Sequence, residues 1–186
     1  MGLLTLLRHG ETDYNAKFLF QGRTDIPLNS SGLAQAQRSA KAIGRVDRII
    51  TSPLTRAIET ADAFGMDPHI DERWIECNFG DWEGHPISSI DGDKWDNYKS
   101  NPNYRPPNGE TIAEVNHRIH ATLDDLTLEA EEHLLVVSHT LPIKAAFMWV
   151  LGGDVPIMST RLSTASFTQI ELSGNDRTLL NFNITS

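Results

Sequence analysis

Three short apolar runs in this 186-residue chain each lead directly into side chains able to do chemistry. Leu3 to Leu7 runs into Arg8-His9-Gly10-Glu11-Thr12, Val46 to Ile50 into Thr51-Ser52-Pro53-Leu54-Thr55-Arg56, and Leu134 to Val137 into Ser138-His139-Thr140. Short continuous apolar runs are the pattern of strands buried on both faces of a sheet, and ligands gather beyond the carboxyl ends of such strands. Two arginines and two histidines can therefore converge on one crevice while lying far apart in sequence. Guanidinium forks match phosphate oxygens bidentately, and a neutral imidazole can attack phosphorus, so this set suits a phosphate monoester and a covalent phosphohistidine.

The elements that must present these residues are set by periodicity and capping. Ser30 or Ser31 is expected to cap a helix in which Leu33, Ala36, Ala40 and Ile43 recur at helical spacing, with Gly44 as its stop. Ser52-Pro53 reads as a second helix start, with Leu54, Ile58, Ala61 and Phe64 as its apolar stripe and its dipole adding positive potential. Thr111 and Glu114 have capping-box spacing ahead of Ile112, Val115, Ile119, Leu123 and Leu126. Pro142 to Leu151 is a further helix, and Thr164 to Leu172 with Leu179 to Ile184 a closing strand pair around Ser173-Gly174-Asn175-Asp176. Strands alternating with helices predict an α/β layered domain with a largely parallel central sheet. The stretch from Asp91 to Asn108, rich in Asp, Asn, Pro and Tyr, lacks sustained periodicity and is expected to be a surface excursion placed to cover the site.

Length favours a single domain over 1–186, and 39% hydrophobic residues with 22% charged is ordinary for a globular fold. The net charge is −9 and no basic run occurs, which argues against nucleic acid or anionic lipid as partner. An anionic substrate must then meet a local cationic pocket. Cys77 is the only cysteine, so an internal disulfide is impossible and a cysteine-based metal site is not expected. The apolar opening Met1 to Leu7 lacks a basic leader and a cleavage site and reads as a strand, and no apolar run approaches the ~20 residues of a membrane span. A cytoplasmic protein is the expectation. His69, His85, His117, His120 and His133 form no convincing metal set and read as structural or exposed, while Trp74, Trp82, Trp95 and Trp149 read as core or pocket-wall aromatics.

The same segments resemble the histidine phosphatase superfamily, also called the phosphoglycerate mutase-like family, over nearly the whole chain. The resemblance is carried by Leu7-Arg8-His9-Gly10-Glu11-Thr12, by Asn15, Gln21-Gly22 and Asp25-Ile26-Pro27-Leu28, and by Ser52 to Ala61. Phe79-Gly80-Asp81-Trp82-Glu83-Gly84, Gly109-Glu110-Thr111 and Val137-Ser138-His139 follow in the same order. It implies a three-layer α/β/α sandwich, a small-molecule phosphomonoester as substrate, and no metal or cofactor. It also implies His9 as nucleophile, with Arg8, Arg56 and His139 holding the phosphoryl oxygens. Glu76 falls where the family usually places its proton donor and is favoured over Glu83, which belongs to the Trp-Glu-Gly turn just beyond. Asn15, Gln21, Gly22, Arg23 and Thr140 are the candidate phosphate or substrate contacts. The chain departs from the family pattern at Thr140-Leu141-Pro142, where a small residue often follows the histidine, and at Asn108, where a glycine is common. A phosphatase is favoured over a cofactor-dependent phosphoglycerate mutase, because the chain is short for that group and lacks its long insertion. The Phe79 to Gly84 turn resembles that of the alpha-ribazole phosphatases, a narrower phosphatase reading. A non-catalytic domain that binds phosphorylated ligands is the alternative of another class.

Overall fold

The computed structural model describes residues 1–152 and 157–186. In chain order the regular elements are β1 (Gly2–Arg8), α1 (Asp13–Ala16), α2 (Ser30–Ile43), β2 (Arg48–Thr51), α3 (Thr55–Asp62) and β3 (His69–Ile70). Then come α4 (Gly92–Ser100), α5 (Ile112–Asp124), β4 (His133–Ser138), α6 (Thr140–Leu151), β5 (Phe167–Ser173) and β6 (Asp176–Ile184). The strands form one sheet in the order β3-β2-β4-β1-β5-β6. β1, β2, β3 and β4 are mutually parallel, β5 pairs antiparallel to β1, and β6 closes the sheet antiparallel to β5.

Successive strand residues point to opposite faces, and here both faces are covered. Leu4, Leu6, Leu134 and Val136 pack with Val115, Ile119 and Leu123 of α5 and Leu141 and Ile143 of α6. Leu7, Ile49, Leu135 and Val137 pack on the other side with Ala57 and Ala61 of α3. This is the expected three-layer α/β/α architecture. Among the described residues no helix is long and apolar enough to cross a membrane.

Several expected boundaries move, each for a local reason. Asn29, not Ser30 or Ser31, caps α2, with its Oδ1 accepting from Gly32 N at 2.8 Å. Leu33 is 51% exposed, because α2 approaches the sheet through Gly32, Ala36 and Ser39. α3 begins at Thr55, three residues beyond Ser52, after a turn through Pro53 and Leu54. Its first N–H is capped by Asp25, whose carboxylate accepts from Thr55 N and Thr55 Oγ1, both at 2.8 Å. α6 starts at Thr140, so Pro142 sits in the first turn, where its missing N–H removes no helical bond. The Thr111–Glu114 capping box forms as expected.

The stretch from Asp91 to Asn108 is more ordered than its polar composition suggests. Asp91 caps α4 by accepting from Asp93 N and Lys94 N. Trp95 and Tyr98, three apart on that helix, join Phe20, Phe79, Trp82 and Tyr104 in one aromatic cluster. The two-residue β3 carries too little pattern to be read from sequence.

The loop bearing His9 is held by a close approach of two glycines. A Cβ on Gly32 would collide with the Glu11 carbonyl, and one on Gly10 would meet the Gly32 Cα at 3.0 Å. Gly32→Ala is therefore expected to lower stability by about 1–3 kcal/mol, the usual range for overpacking, read as a lower urea midpoint with an unchanged slope.

Candidate active site

β1, β2 and β4 end side by side, and their register assembles the site. Arg8 lies opposite Ser138, and Thr51 opposite Val137. Pairing continues one residue further, from His9 N to the Ser138 carbonyl (2.9 Å) and from Ser52 N to the Val137 carbonyl (3.0 Å). The buried imidazoles of His9 and His139 meet with ring centroids 5.1 Å apart.

The Nδ1 of His9 is 2.7 Å from the Gly10 carbonyl. A carbonyl only accepts, so Nδ1 carries the proton and the Nε2 lone pair is free. Burial, reinforced by the Arg56 and Arg8 charges, holds the His9 pKa well below the ordinary imidazole value. The ring is thus neutral at physiological pH and in the tautomer a nucleophile requires. Burial and the same arginines also keep His139 neutral. Its Nε2 lies 2.6 Å from Ser52 Oγ, and a hydroxyl donating there leaves the His139 proton on Nδ1.

Arg56, fully buried in the first turn of α3, donates from its two terminal nitrogens to the Gly22 (2.7 Å) and Thr24 (3.0 Å) carbonyls. Arg8 donates to the Leu162 carbonyl at 2.6 Å. Burial lowers both guanidinium pKa values, that of Arg56 to about 10, which leaves both charged. Four buried side-chain polar atoms lack a partner among the described residues: Arg8 Nε, Arg56 Nε, His139 Nδ1 and Trp74 Nε1. Three of them belong to this cluster. An unpaired buried donor costs about 1–3 kcal/mol, more when charged, so their gathering marks a site built for an anion.

The two candidate carboxylates differ in what they hold. Glu76 Oε1 accepts from Cys77 N (2.8 Å) and Leu141 N (3.2 Å), and Oε2 from Thr140 N alone (3.0 Å). Burial raises the Glu76 pKa and outweighs these N–H bonds and the nearby Arg56 and Arg8 charges, which act in the opposite direction. Oε2, with one donor, is the oxygen able to carry a proton toward a ligand. Glu83 has no such freedom. Its Oε1 accepts from Arg23 N (2.9 Å) and Phe79 N (3.0 Å), and its Oε2 from Thr24 N (2.9 Å) and Thr24 Oγ1 (2.6 Å). Glu83 therefore staples the loop whose Gly22 and Thr24 carbonyls orient Arg56. Gly22, at φ +54°, passes so close that any Cβ there would overlap the Glu83 carboxylate.

A cavity of about 180 Å³ opens onto this cluster, lined by Arg8, His9, Arg56 and Glu76, and also by Asn15, Gln21, Gly22 and Thr140. Thr12 Oγ1 lies 2.9 Å from Gln21 Oε1 and 3.2 Å from Asn15 Oδ1, with one proton to donate between them, and Thr12 N donates to Asn15 Oδ1 at 3.1 Å. Arg23 is not brought in: it donates to the Glu76 carbonyl (3.3 Å) and to Glu110 (3.1 Å) and lines a separate surface cleft. Sequence reasoning missed Ser52 as the partner of His139, and Thr60, whose Oγ1 donates to the Arg56 carbonyl and accepts from Gly10 N. Thr60 lies four residues after Arg56 on the same helical face, which was its one available signal.

The model of the histidine phosphatase superfamily (branch 1) matches residues 4–185. The chain belongs to that superfamily. It is 33% identical to the uncharacterized phosphatase PhoE of Bacillus subtilis, covering 100% of this chain and 96% of that protein. It is 36% identical to a Yersinia pestis protein named probable phosphoglycerate mutase GpmB, over 79% of this chain and 74% of that one. It also superimposes on the crystal structure of a histidine-to-alanine mutant of phosphoserine phosphatase from Entamoeba histolytica in complex with phosphoserine. That match has a TM-score of 0.87 and 33% identity, and covers 98% and 97% of the two chains.

The division between the carboxylates predicts that Glu83→Ala lowers stability by about 2 kcal/mol or more, because four donors lose their acceptor. Glu76→Gln sets an amide nitrogen where one carboxylate oxygen accepts a backbone N–H, so it is expected to fold with a thermal midpoint lowered less than in Glu83→Ala, and to lose activity. Thermal melts of both variants beside turnover measurements check this.

Proposed function

We propose that this histidine phosphatase hydrolyses small phosphate monoesters through a phosphohistidine on His9, with Arg8, Arg56 and His139 holding the phosphoryl oxygens and Glu76 as proton donor. The observation that carries the reading is the conjunction of a neutral, Nε2-free imidazole with unpaired buried donors from three flanking side chains. Asn15, Gln21, Gly22 and Thr140 are read as completing the phosphate end; Arg23 is read as a loop contact outside it. The chain is taken as one domain, 1–186, acting in the cytoplasm without nucleic-acid or membrane partners.

In the first step His9 Nε2 attacks phosphorus in line with the ester oxygen, the P–O bond breaks, and Glu76 Oε2 gives its proton to the leaving alcohol. In the second, Glu76 takes a proton from water, the oxygen attacks phosphorus, and the P–N bond breaks to release phosphate and neutral His9. Charge on the transferring group is balanced by Arg8 and Arg56, fixed before substrate arrives, so little reorganisation is needed. Branching toward phosphoglycerate mutase chemistry would require the phosphohistidine to persist against water. Measuring phosphate release against isomer formation from 3-phosphoglycerate, with and without a bisphosphate primer, separates the two.

The pH dependence follows from the two opposed shifts. His9 must be neutral, and its lowered pKa preserves that form into the acid range. Glu76 must be protonated, and its raised pKa preserves that form above the usual carboxylate range but not indefinitely. Turnover of an alkyl phosphate is therefore expected to fall as pH rises through the Glu76 pKa. Glu76→Gln should cut it by about 10²–10⁴-fold and abolish that limb, while p-nitrophenyl phosphate, whose leaving group needs little protonation, suffers less. A Glu76→Gln variant with an unchanged alkaline limb would refute the assignment.

A further inference from the structure

Beyond the phosphate end the cavity wall changes character. Leu19, Phe20, Phe79, Ile87, Trp95 and Met158 form it. Tyr98, which also lines the cavity, turns its hydroxyl to Cys77 Sγ at 3.6 Å and so offers the ring rather than the oxygen. The rings behind this wall brace one another: Phe20 lies 5.0 Å from Phe79 and 5.5 Å from Trp95, and Trp95 stacks on Tyr98 at 5.7 Å. The aromatic part of the wall is therefore packed ring against ring. The apolar character continues outward to Phe18, 76% exposed, and to Ile87, 37% exposed, whose N–H donates to the Phe18 carbonyl.

Among the described residues no charged side chain lines that end: the cations lining the cavity are Arg8 and Arg56, at the phosphate end. Arg23, the loop arginine expected at the organic part of the substrate, is committed to Glu110 outside the cavity. A carboxylate or ammonium pressed against this wall would lose its hydration with no partner in exchange. An apolar group there would instead remove its own surface and that of the wall from water.

We propose that this site selects phosphate monoesters of uncharged apolar alcohols, aromatic or branched aliphatic, and discriminates against esters whose alcohol carries a second charge. The proposal rests on the phosphomonoesterase reading above and extends it to the leaving group. The residues that set the preference are Leu19, Ile87, Trp95 and Met158, which touch the alcohol and not the phosphoryl group.

The test compares kcat/KM for 2-phenylethyl phosphate, glycerol 1-phosphate and phosphoserine, three primary alkyl esters of similar intrinsic reactivity. The expected order places 2-phenylethyl phosphate at least tenfold above phosphoserine, the scale on which a few methylenes in an apolar pocket discriminate. Ile87→Arg, at a partly exposed wall position that tolerates a long side chain, should narrow that ratio at least threefold. Phosphoserine turned over as well as 2-phenylethyl phosphate, with turnover still lost in His9→Ala, would overturn the leaving-group assignment and leave the phosphomonoesterase standing. A ratio unmoved by Ile87→Arg would overturn the assignment to this wall. No His9-dependent turnover of any of the three would overturn both readings.

Discussion

The site depends on one electrostatic constraint, the burial of two guanidinium groups beside two imidazoles at the ends of adjacent parallel strands. Burial keeps both rings neutral, and the Arg56 and Arg8 charges reinforce it, since a further cation there would be poorly solvated and repelled. The same constraint raises affinity for a dianion, which satisfies donors that the protein leaves unpaired. A chain with a net charge of −9 therefore carries a strongly positive pocket only where its fold concentrates it. Everything else in the neighbourhood serves to hold that arrangement in place: the register of β1, β2 and β4, the Glu83 staple, and Asp25 at the start of α3.

Two glutamates seven residues apart illustrate how environment divides identical side chains between roles. Glu83 spends all its acceptor capacity on loop N–H and O–H groups and acts through the geometry it imposes on Gly22, Thr24 and Arg56. Glu76 keeps one oxygen with a single donor at the N-terminus of α6, and its burial raises its pKa. The helix N-terminus and the arginines favour its carboxylate, and burial opposes them. That balance is what suits a group required to give up a proton and take it back.

The convergence of Arg8, His9, Arg56 and His139 was legible in the sequence because parallel strands advertise themselves as short apolar runs and deliver whatever follows them to one edge. The capping box at Thr111 and the antiparallel closing pair were legible for equally local reasons. What failed was decided at a distance. Ser52 was read as a helix cap, yet its hydroxyl is held by His139, 87 residues away, and the capping duty passes to Asp25. The apolar spacing of α2 misassigned Leu33, because close packing through Gly32 and Gly10 sets which face turns inward. Within α4 only Trp95 and Tyr98 interrupt a polar sequence, and a single pair cannot announce a helix until the aromatic cluster that receives it exists. The apolar half of the cavity was invisible for the same reason.

The central claim, that His9 becomes covalently phosphorylated, is tested most directly by mixing enzyme with a phosphate monoester for milliseconds and quenching into strong base, in which phosphohistidine survives. Mass spectrometry of the peptide spanning Leu7 to Thr12 then locates the phosphoryl group. The account predicts a phosphoryl group on His9 that forms and decays fast enough to support turnover, and whose decay slows in Glu76→Gln. Full turnover with His9 unmodified at every time point, or with the phosphoryl group on another residue, would contradict it.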